Sequence, residues 1–234
     1  MKLSFVPRGT DDADANGTAL AILYESGGPL HASRPRRRWG GARNSASRMS
    51  EHIKLSTALA LVEAVQQASD AGLPLNRHLT VHWRMGGIPD SRAALATGRL
   101  TKLIADWLKR RGGRLAYAWI RENGDFKGSH AHILFHLPDG VQLGQMTRRW
   151  AKRLFGRAAP GSVKTKVIGG TAKASFTGSS WYQDNLAYVL AYLLKGVDAR
   201  SGALLDLDRS EEGGWIVGKR VGISQNIRRG GGDR

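Results

Sequence analysis

Hydrophobic and polar residues follow regular periods from about residue 50 onward, whereas the first 49 residues show no period that decides between helix and strand. Four segments repeat apolar residues every three or four positions, which predicts amphipathic helices. These segments cover residues 50–72, 90–113, 143–156 and 179–196. Ser50 is a candidate N-cap of the first helix, and Gly72 marks its end.

Shorter segments rich in alternating and β-branched residues predict strands between these helices. They lie at about 77–84, 114–122, 129–137 and 162–170, and residues 213–227 contain a further edge strand. The arms 114–122 and 129–137 form a β-hairpin, with its turn at Asn123-Gly124 and a few extra residues. Mixed helices and strands with a hairpin predict an α+β fold, in which helices cover one side of a central antiparallel sheet.

The charge of the chain adds a class of partner to this fold. Lys and Arg number 36 and Asp and Glu 19, which gives a formal net charge of +17. An excess this large favours a polyanionic partner, most often nucleic acid, over a basic surface that only contacts solvent. The chain has no cysteine, no apolar run that predicts a membrane span and no secretory signal, so we expect a cytoplasmic protein without a membrane partner.

Composition also divides the chain into segments. Residues 34–48 are rich in Arg, Gly and Ser, and we interpret residues 1–49 as a flexible basic arm that either touches DNA phosphates or has no role. Residues 50–227 form the predicted domain, and 228–234 a disordered tail. A GxxxxGK[ST] motif between a strand and a helix is absent, so the sequence predicts no ATPase domain.

Three of the seven histidines lie in the second arm of the hairpin, at His130, His132 and His136. Successive side chains of a strand point to opposite faces, so His130 and His132 project from one face and can converge on a divalent cation. Glu122 ends the partner arm and can lie next to the first histidine, which makes it the best candidate for a third ligand. His136 shares the face but lies further along, as an outer or structural residue.

The last predicted helix carries Tyr188, Tyr192 and Lys195 at spacings of four and three, which places them on one face. A phenol hydroxyl is a poor nucleophile at neutral pH, and a nearby lysine or metal ion can help it attack a phosphate. Taken alone, the same segment is also compatible with an ordinary amphipathic core helix.

A His-x-His strand followed some 60 residues later by Tyr-x-x-x-Tyr-x-x-Lys resembles the HUH endonuclease superfamily. It looks most like rolling-circle replication initiators of bacterial plasmids and single-stranded DNA phages, in their paired-tyrosine form. Residues 79–83 correspond to the first family motif, and Glu122 to a glutamate-bearing turn of circular single-stranded DNA virus initiators. Conjugative relaxases have the reverse order of tyrosine and histidines. The fold implied is an HUH or RRM-like palm.

The resemblance implies a mechanism and partners. Tyr192 attacks the scissile phosphate of single-stranded DNA at an origin and leaves a 5′-phosphotyrosine and a free 3′-OH, while Lys195 steadies the charge. Tyr188 is implied to make a second attack at termination. His130, His132 and Glu122 are implied to hold Mg²⁺ or Mn²⁺, of which Mn²⁺ suits two nitrogen ligands better. A host helicase and DNA polymerase act with the protein in a bacterial cytoplasm.

Two questions stay open at the level of sequence. The third helix carries four basic residues that either follow the DNA phosphates or form a solvated face: Arg148, Arg149, Lys152 and Arg153. The alternatives to a replication initiator are a single-strand transposase or relaxase-like enzyme with the same site, and a non-catalytic module that binds single-stranded nucleic acid.

Overall fold

The computed structural model describes residues 47–171, 174–207 and 213–227. The predicted arm, apart from its last three residues, and the predicted tail lie outside the described residues. Among the described helices, none combines the length and the hydrophobicity that a membrane span requires.

The described helices and strands alternate along the chain. They are β1 (Met49–Ser50), α1 (Leu55–Asp70), β2 (Arg77–His82), α2 (Asp90–Lys109), β3 (Tyr117–Gly124), β4 (Gly128–Phe135), α3 (Met146–Phe155), β5 (Val163–Val167), α4 (Ser180–Leu194), α5 (Ala199–Leu204), β6 (Ile216–Val217) and β7 (Val221–Ile223). A short 3₁₀ turn, Gln225–Ile227, follows β7.

Five of these strands form one antiparallel sheet in the order β5-β2-β4-β3-β7, and β1 and β6 form a separate antiparallel pair. The hairpin strand β4 therefore lies at the centre, and β5 and β7 lie at the edges. This arrangement confirms the predicted α+β fold with a central antiparallel sheet that carries the His-x-His strand and is flanked by helices.

Helices cover both faces of the sheet, not one face as the sequence suggested. On one face α1 and α4 pack against Ala118, Ile120 and Leu134. On the other face α2 and α3 pack against residues such as Ile133 and Phe135. The physical reason is that the central strands carry apolar side chains on both faces, and β4 is buried at all of its positions.

The predicted N-cap at Ser50 is wrong. Ser50 lies in β1 opposite Ile216, and its backbone oxygen accepts a hydrogen bond of 2.5 Å from Arg220. The helix α1 begins five residues later, after Lys54, whose side chain makes no capping hydrogen bond. Pairing with β6 thus prevails over the local capping preference of serine.

The turn of the β3–β4 hairpin lies one step further along than predicted. Asn123 and Gly124 still belong to β3, where they pair with Ser129 and Gly128, and the turn covers residues 125–127. Gly128 closes this three-residue loop with a φ of 61°, a backbone conformation that glycine adopts without strain. The register of the hairpin follows from this turn and determines which side chains meet across it.

A buried polar cluster, which we call the Arg121 cluster, joins the start of α2 to the β6–β7 segment. Arg121 donates to the backbone oxygens of Val217 and Lys219 at 2.9 and 3.1 Å, and to both the backbone and the carboxylate of Asp90. The same carboxylate accepts from Ser129 Oγ at 2.7 Å and from the backbone NH of Val217 at 2.6 Å. Buried charges are tolerated here because each has several partners.

Candidate active site

Glu122, His130 and His132 form one buried group, which we call the Glu122 triad. Glu122 lies directly opposite His130 across the β3–β4 ladder, and His132 is two residues further along the same face. One ligand atom from each side chain can be chosen so that all three lie within 4.8 Å of one another. This group could hold a metal ion.

The hydrogen bonds around the triad leave its inner atoms directed at one another. His130 Nδ1 lies 2.7 Å from the backbone oxygen of Gly128, which only accepts, so this nitrogen donates. In the neutral ring, Nε2 then carries a lone pair, and it lies 3.3 Å from Glu122 Oε2. Two acceptors at this distance repel each other unless a cation lies between or beside them. This geometry fits a bound metal ion.

Two further buried atoms of the triad have no hydrogen-bond partner among the described residues, namely His132 Nε2 and Glu122 Oε1. His132 Nε2 lies 3.9 Å from Glu122 Oε2, too far for a hydrogen bond. Buried polar atoms without partners are rare and costly, and they frequently indicate a ligand or ion that completes the site. The unpartnered atoms therefore agree with the donor set in favouring a cation.

The neighbouring strand β2 adds residues that the sequence analysis did not assign to the site. His78 and Thr80 lie on the same face, with His78 Nε2 3.0 Å and Thr80 Oγ1 3.2 Å from His132 Nδ1. The ring of His82 stacks on that of His130 at a centroid distance of 5.2 Å. The even spacing of His78, Thr80 and His82 shows that they share a face, but only the β2–β4 register places that face next to the triad.

Burial keeps these imidazoles neutral. It lowers the pKa of His132 well below its ordinary value, and the positive charges of neighbouring side chains add to this effect. Burial, together with the charge of Lys166, lowers the pKa of His78 to about 4. A neutral imidazole is the form that binds a metal ion, and a hydrogen bond to its other nitrogen fixes the orientation of the ring.

The helix α4 brings a tyrosine and a lysine to the triad. The ring of Tyr192 lies edge-on to that of His132 at a centroid distance of 5.8 Å. Lys195 Nζ lies 4.5 Å from the centre of the Tyr192 ring and 3.9 Å from Glu122 Oε2. Tyr188 lies one turn earlier on the same face and is exposed. A phenol, an ammonium group and a metal-ligand group therefore meet at one end of α4.

The family model for the ORF2-type replication-associated protein matches residues 79–197, about half of the chain. The chain belongs to this family. The matched segment includes the Glu122 triad together with Tyr188, Tyr192 and Lys195. Membership indicates a role in DNA replication, as a replication initiator. No curated protein and no solved structure matches the chain.

The four basic residues singled out on the third helix lie away from the triad of this replication-associated protein. Arg148, Arg149, Lys152 and Arg153 belong to α3, whose buried residue Trp150 packs into the core on the opposite face of the sheet. The structure does not bring them together with Tyr192.

His136 lies outside the triad. Its Nδ1 donates to the backbone oxygen of Pro74 at 2.9 Å, just beyond the end of β4. The third tyrosine of α4, Tyr182, is buried in the core and donates its hydroxyl to the backbone oxygen of Leu75 at 3.1 Å. Both contacts join the ends of strands and helices to the loop that precedes β2.

Proposed function

We propose that this protein is a replication initiator of the HUH type, which nicks and rejoins single-stranded DNA at a replication origin through a tyrosine nucleophile. The observation that carries the proposal is the meeting of the Glu122 triad with Tyr192 and Lys195 at the end of α4. Family membership supports the role in replication, and the site supports the chemistry.

In the proposed site, Glu122, His130 and His132 hold a divalent cation. Two imidazoles and one carboxylate leave coordination positions for substrate oxygens and suit Mn²⁺ or Mg²⁺, with Mn²⁺ the better match to two nitrogens. When bound, the ion withdraws charge from the scissile phosphate and orients it for attack. His78 and Thr80 orient the ring of His132 through its Nδ1.

The covalent step belongs to Tyr192. Its hydroxyl oxygen forms a bond to phosphorus as the bond to the 3′-oxygen breaks, which leaves a 5′-phosphotyrosine and a free 3′-OH. On balance, the phenolic proton is replaced by the proton that the 3′-oxygen takes up. Lys195 is close enough to the Tyr192 ring to stabilise the phenolate as it forms.

Tyr188 gives the proposed site a second nucleophile. It lies one helical turn from Tyr192 and is exposed, so a second strand can reach it while Tyr192 carries the first. A second attack of this kind releases the displaced strand and rejoins the ends. The partners in the proposal are single-stranded DNA at the origin and a host helicase and DNA polymerase, and the place of action is the bacterial cytoplasm.

A test of this proposal requires no knowledge of the origin sequence. The protein is incubated with Mn²⁺ and a randomised pool of single-stranded oligonucleotides, and adducts that survive SDS are isolated and mapped by mass spectrometry. We expect an adduct on Tyr192 that disappears in Tyr192→Phe and in EDTA. Tyr188→Phe is the matched control and keeps the first adduct. Adducts that are unchanged in Tyr192→Phe, or that form fully in EDTA, would contradict the proposal.

A further inference from the structure

We propose that the open face of β2 and β5 beside α4 is the track along which a DNA strand reaches the Glu122 triad. In this proposal Lys164 and Lys166 bind phosphates, and the stacked pair Phe176–Trp181 holds a base. The inference rests on the proposed function in taking single-stranded DNA as the ligand of the triad.

The floor of the track follows from the strand register. Lys164 lies opposite Thr80 and Lys166 opposite His78, so both lysines share the face of the triad. Both are exposed, because β5 is an edge strand. The side chains that β2 and β5 direct to this face are all polar: His78, Thr80, His82, Lys164 and Lys166.

The polar floor is continuous with the triad. The charge of Lys166 acts on His78 and lowers its pKa, so the two side chains lie close enough to interact. His78 contacts His132, which belongs to the triad. The series Lys166, His78, His132 and Glu122 thus crosses the sheet from its open edge to the proposed metal site.

The wall of the track is the exposed face of α4. Trp181, Tyr188 and Tyr192 are spaced by seven and four residues, which places them in one stripe along the helix. Trp181 and Tyr192 are separated by about 16 Å along the helix axis. Trp181 and Phe176 stack at a centroid distance of 6.3 Å although each is about half exposed, at 49%.

The wall and the floor meet where β5 ends. Gly169 follows β5, and its backbone NH donates to Asn185 of α4 at 3.4 Å. A side-chain carbon at Gly169 would collide with the backbone of Tyr182, so only glycine permits this contact. The aromatic stripe therefore lies directly beside the strand that carries the two lysines.

Single-stranded DNA is the ligand that fits both halves of the track. Lysines neutralise phosphates, and exposed aromatic rings stack on bases that a duplex keeps covered by their neighbours. The helix α3 has a similar charge but a different surface, because Trp150 is buried and Phe155 packs against the core. Charge without an exposed stacking surface makes α3 a suitable control.

The test compares two charge-matched double variants. We measure the fluorescence anisotropy of a fluorescein-labelled single-stranded oligothymidylate in EDTA, at several salt concentrations. In Lys164→Gln/Lys166→Gln, the slope of log affinity against log salt should fall by about 1.4, for two lost phosphate contacts on a single strand. The control Arg148→Gln/Arg149→Gln should keep the wild-type slope. Trp181→Ala should weaken binding about tenfold without changing the slope.

Two results would overturn the track. One is an equal loss of slope in the α3 control, and the other is wild-type binding by both the lysine and the Trp181 variants. Circular dichroism verifies that each variant is folded before binding is measured. Because EDTA prevents metal-dependent cleavage, these results are independent of the adduct assay. Intact track binding without any Tyr192 adduct would contradict the nicking proposal and leave the track in place.

Discussion

Arg121 and Glu122 are neighbours in β3, both are buried, and they point to opposite faces of the same sheet. Arg121 donates four hydrogen bonds to Asp90 and to the backbone of the β6–β7 segment. Glu122 faces His130, His132 and Lys195 at 3.3 to 3.9 Å, and its Oε1 has no hydrogen-bond partner among the described residues.

The difference separates a structural cluster from a ligand site. In the Arg121 cluster opposite charges meet and, apart from Arg121 Nε, the polar atoms named above have partners. In the Glu122 triad a lone pair of His130 faces a carboxylate oxygen, so the site lacks positive charge at its centre. Burial alone does not distinguish the two clusters, whereas hydrogen-bond satisfaction does.

The largest expected effect concerns folding. Arg121→Met leaves the Asp90 carboxylate buried without its charged partner, which should lower the free energy of unfolding by about 3–5 kcal/mol. Urea denaturation followed by circular dichroism measures this loss. The double variant Asp90→Asn/Arg121→Met removes both charges and should recover part of it. A single variant as stable as the wild type would show that the Arg121 cluster is not structural.

The Glu122 triad should behave in the opposite way. Without metal, Glu122→Gln should change the free energy of unfolding by no more than about 1 kcal/mol, because no satisfied ion pair is broken. Mn²⁺ at about 100 times its dissociation constant should stabilise the wild type by about 2.7 kcal/mol. Thermal unfolding with and without Mn²⁺ measures this gain. An equal gain in Glu122→Gln would place the binding site elsewhere.

The next effect concerns His78, which contacts a ligand without belonging to the triad. Loss of its hydrogen bond to His132 should weaken Mn²⁺ binding about 10- to 100-fold in His78→Ala. Isothermal titration calorimetry measures the affinity. Wild-type affinity in this variant would mean that His78 does not orient the ligand.

The smallest effect distinguishes His136 from the triad histidines. Replacing it in His136→Gln should cost about 1 kcal/mol at about pH 8, through loss of its hydrogen bond to Pro74. Because burial lowers the pKa of His136, the native state favours its neutral form, and this contribution should decrease as the pH falls below about 6.5. Urea denaturation at several pH values tests this. A difference that grows in acid would contradict the assignment.

The sequence predicted what depends on local geometry. The position of Glu122 opposite His130 follows from the hairpin, and it survives the shift of the turn from Asn123-Gly124 to residues 125–127 because the two arms keep their parity. The face shared by Tyr188, Tyr192 and Lys195 likewise follows from helical spacing alone.

Features that depend on distant pairing could not be predicted in this way. His78 lies next to His132 only because β2 pairs with β4, which is far away in the chain. Ser50 has the residue type of a helix cap, but its pairing with Ile216 places it in a strand. The location of α3 on the far face of the sheet depends on packing around Trp150, which the charge pattern of that helix does not reveal.

The central claim is that the Glu122 triad is a metal site held next to Tyr192. Mn²⁺ titration followed by electron paramagnetic resonance tests it most directly, since the spectrum reports both the number of bound ions and nitrogen ligation. We predict one tightly bound Mn²⁺ per chain with two imidazole nitrogens, and loss of this signal in Glu122→Gln and His132→Gln. The absence of a tight site, or an unchanged spectrum in both variants, would contradict the claim.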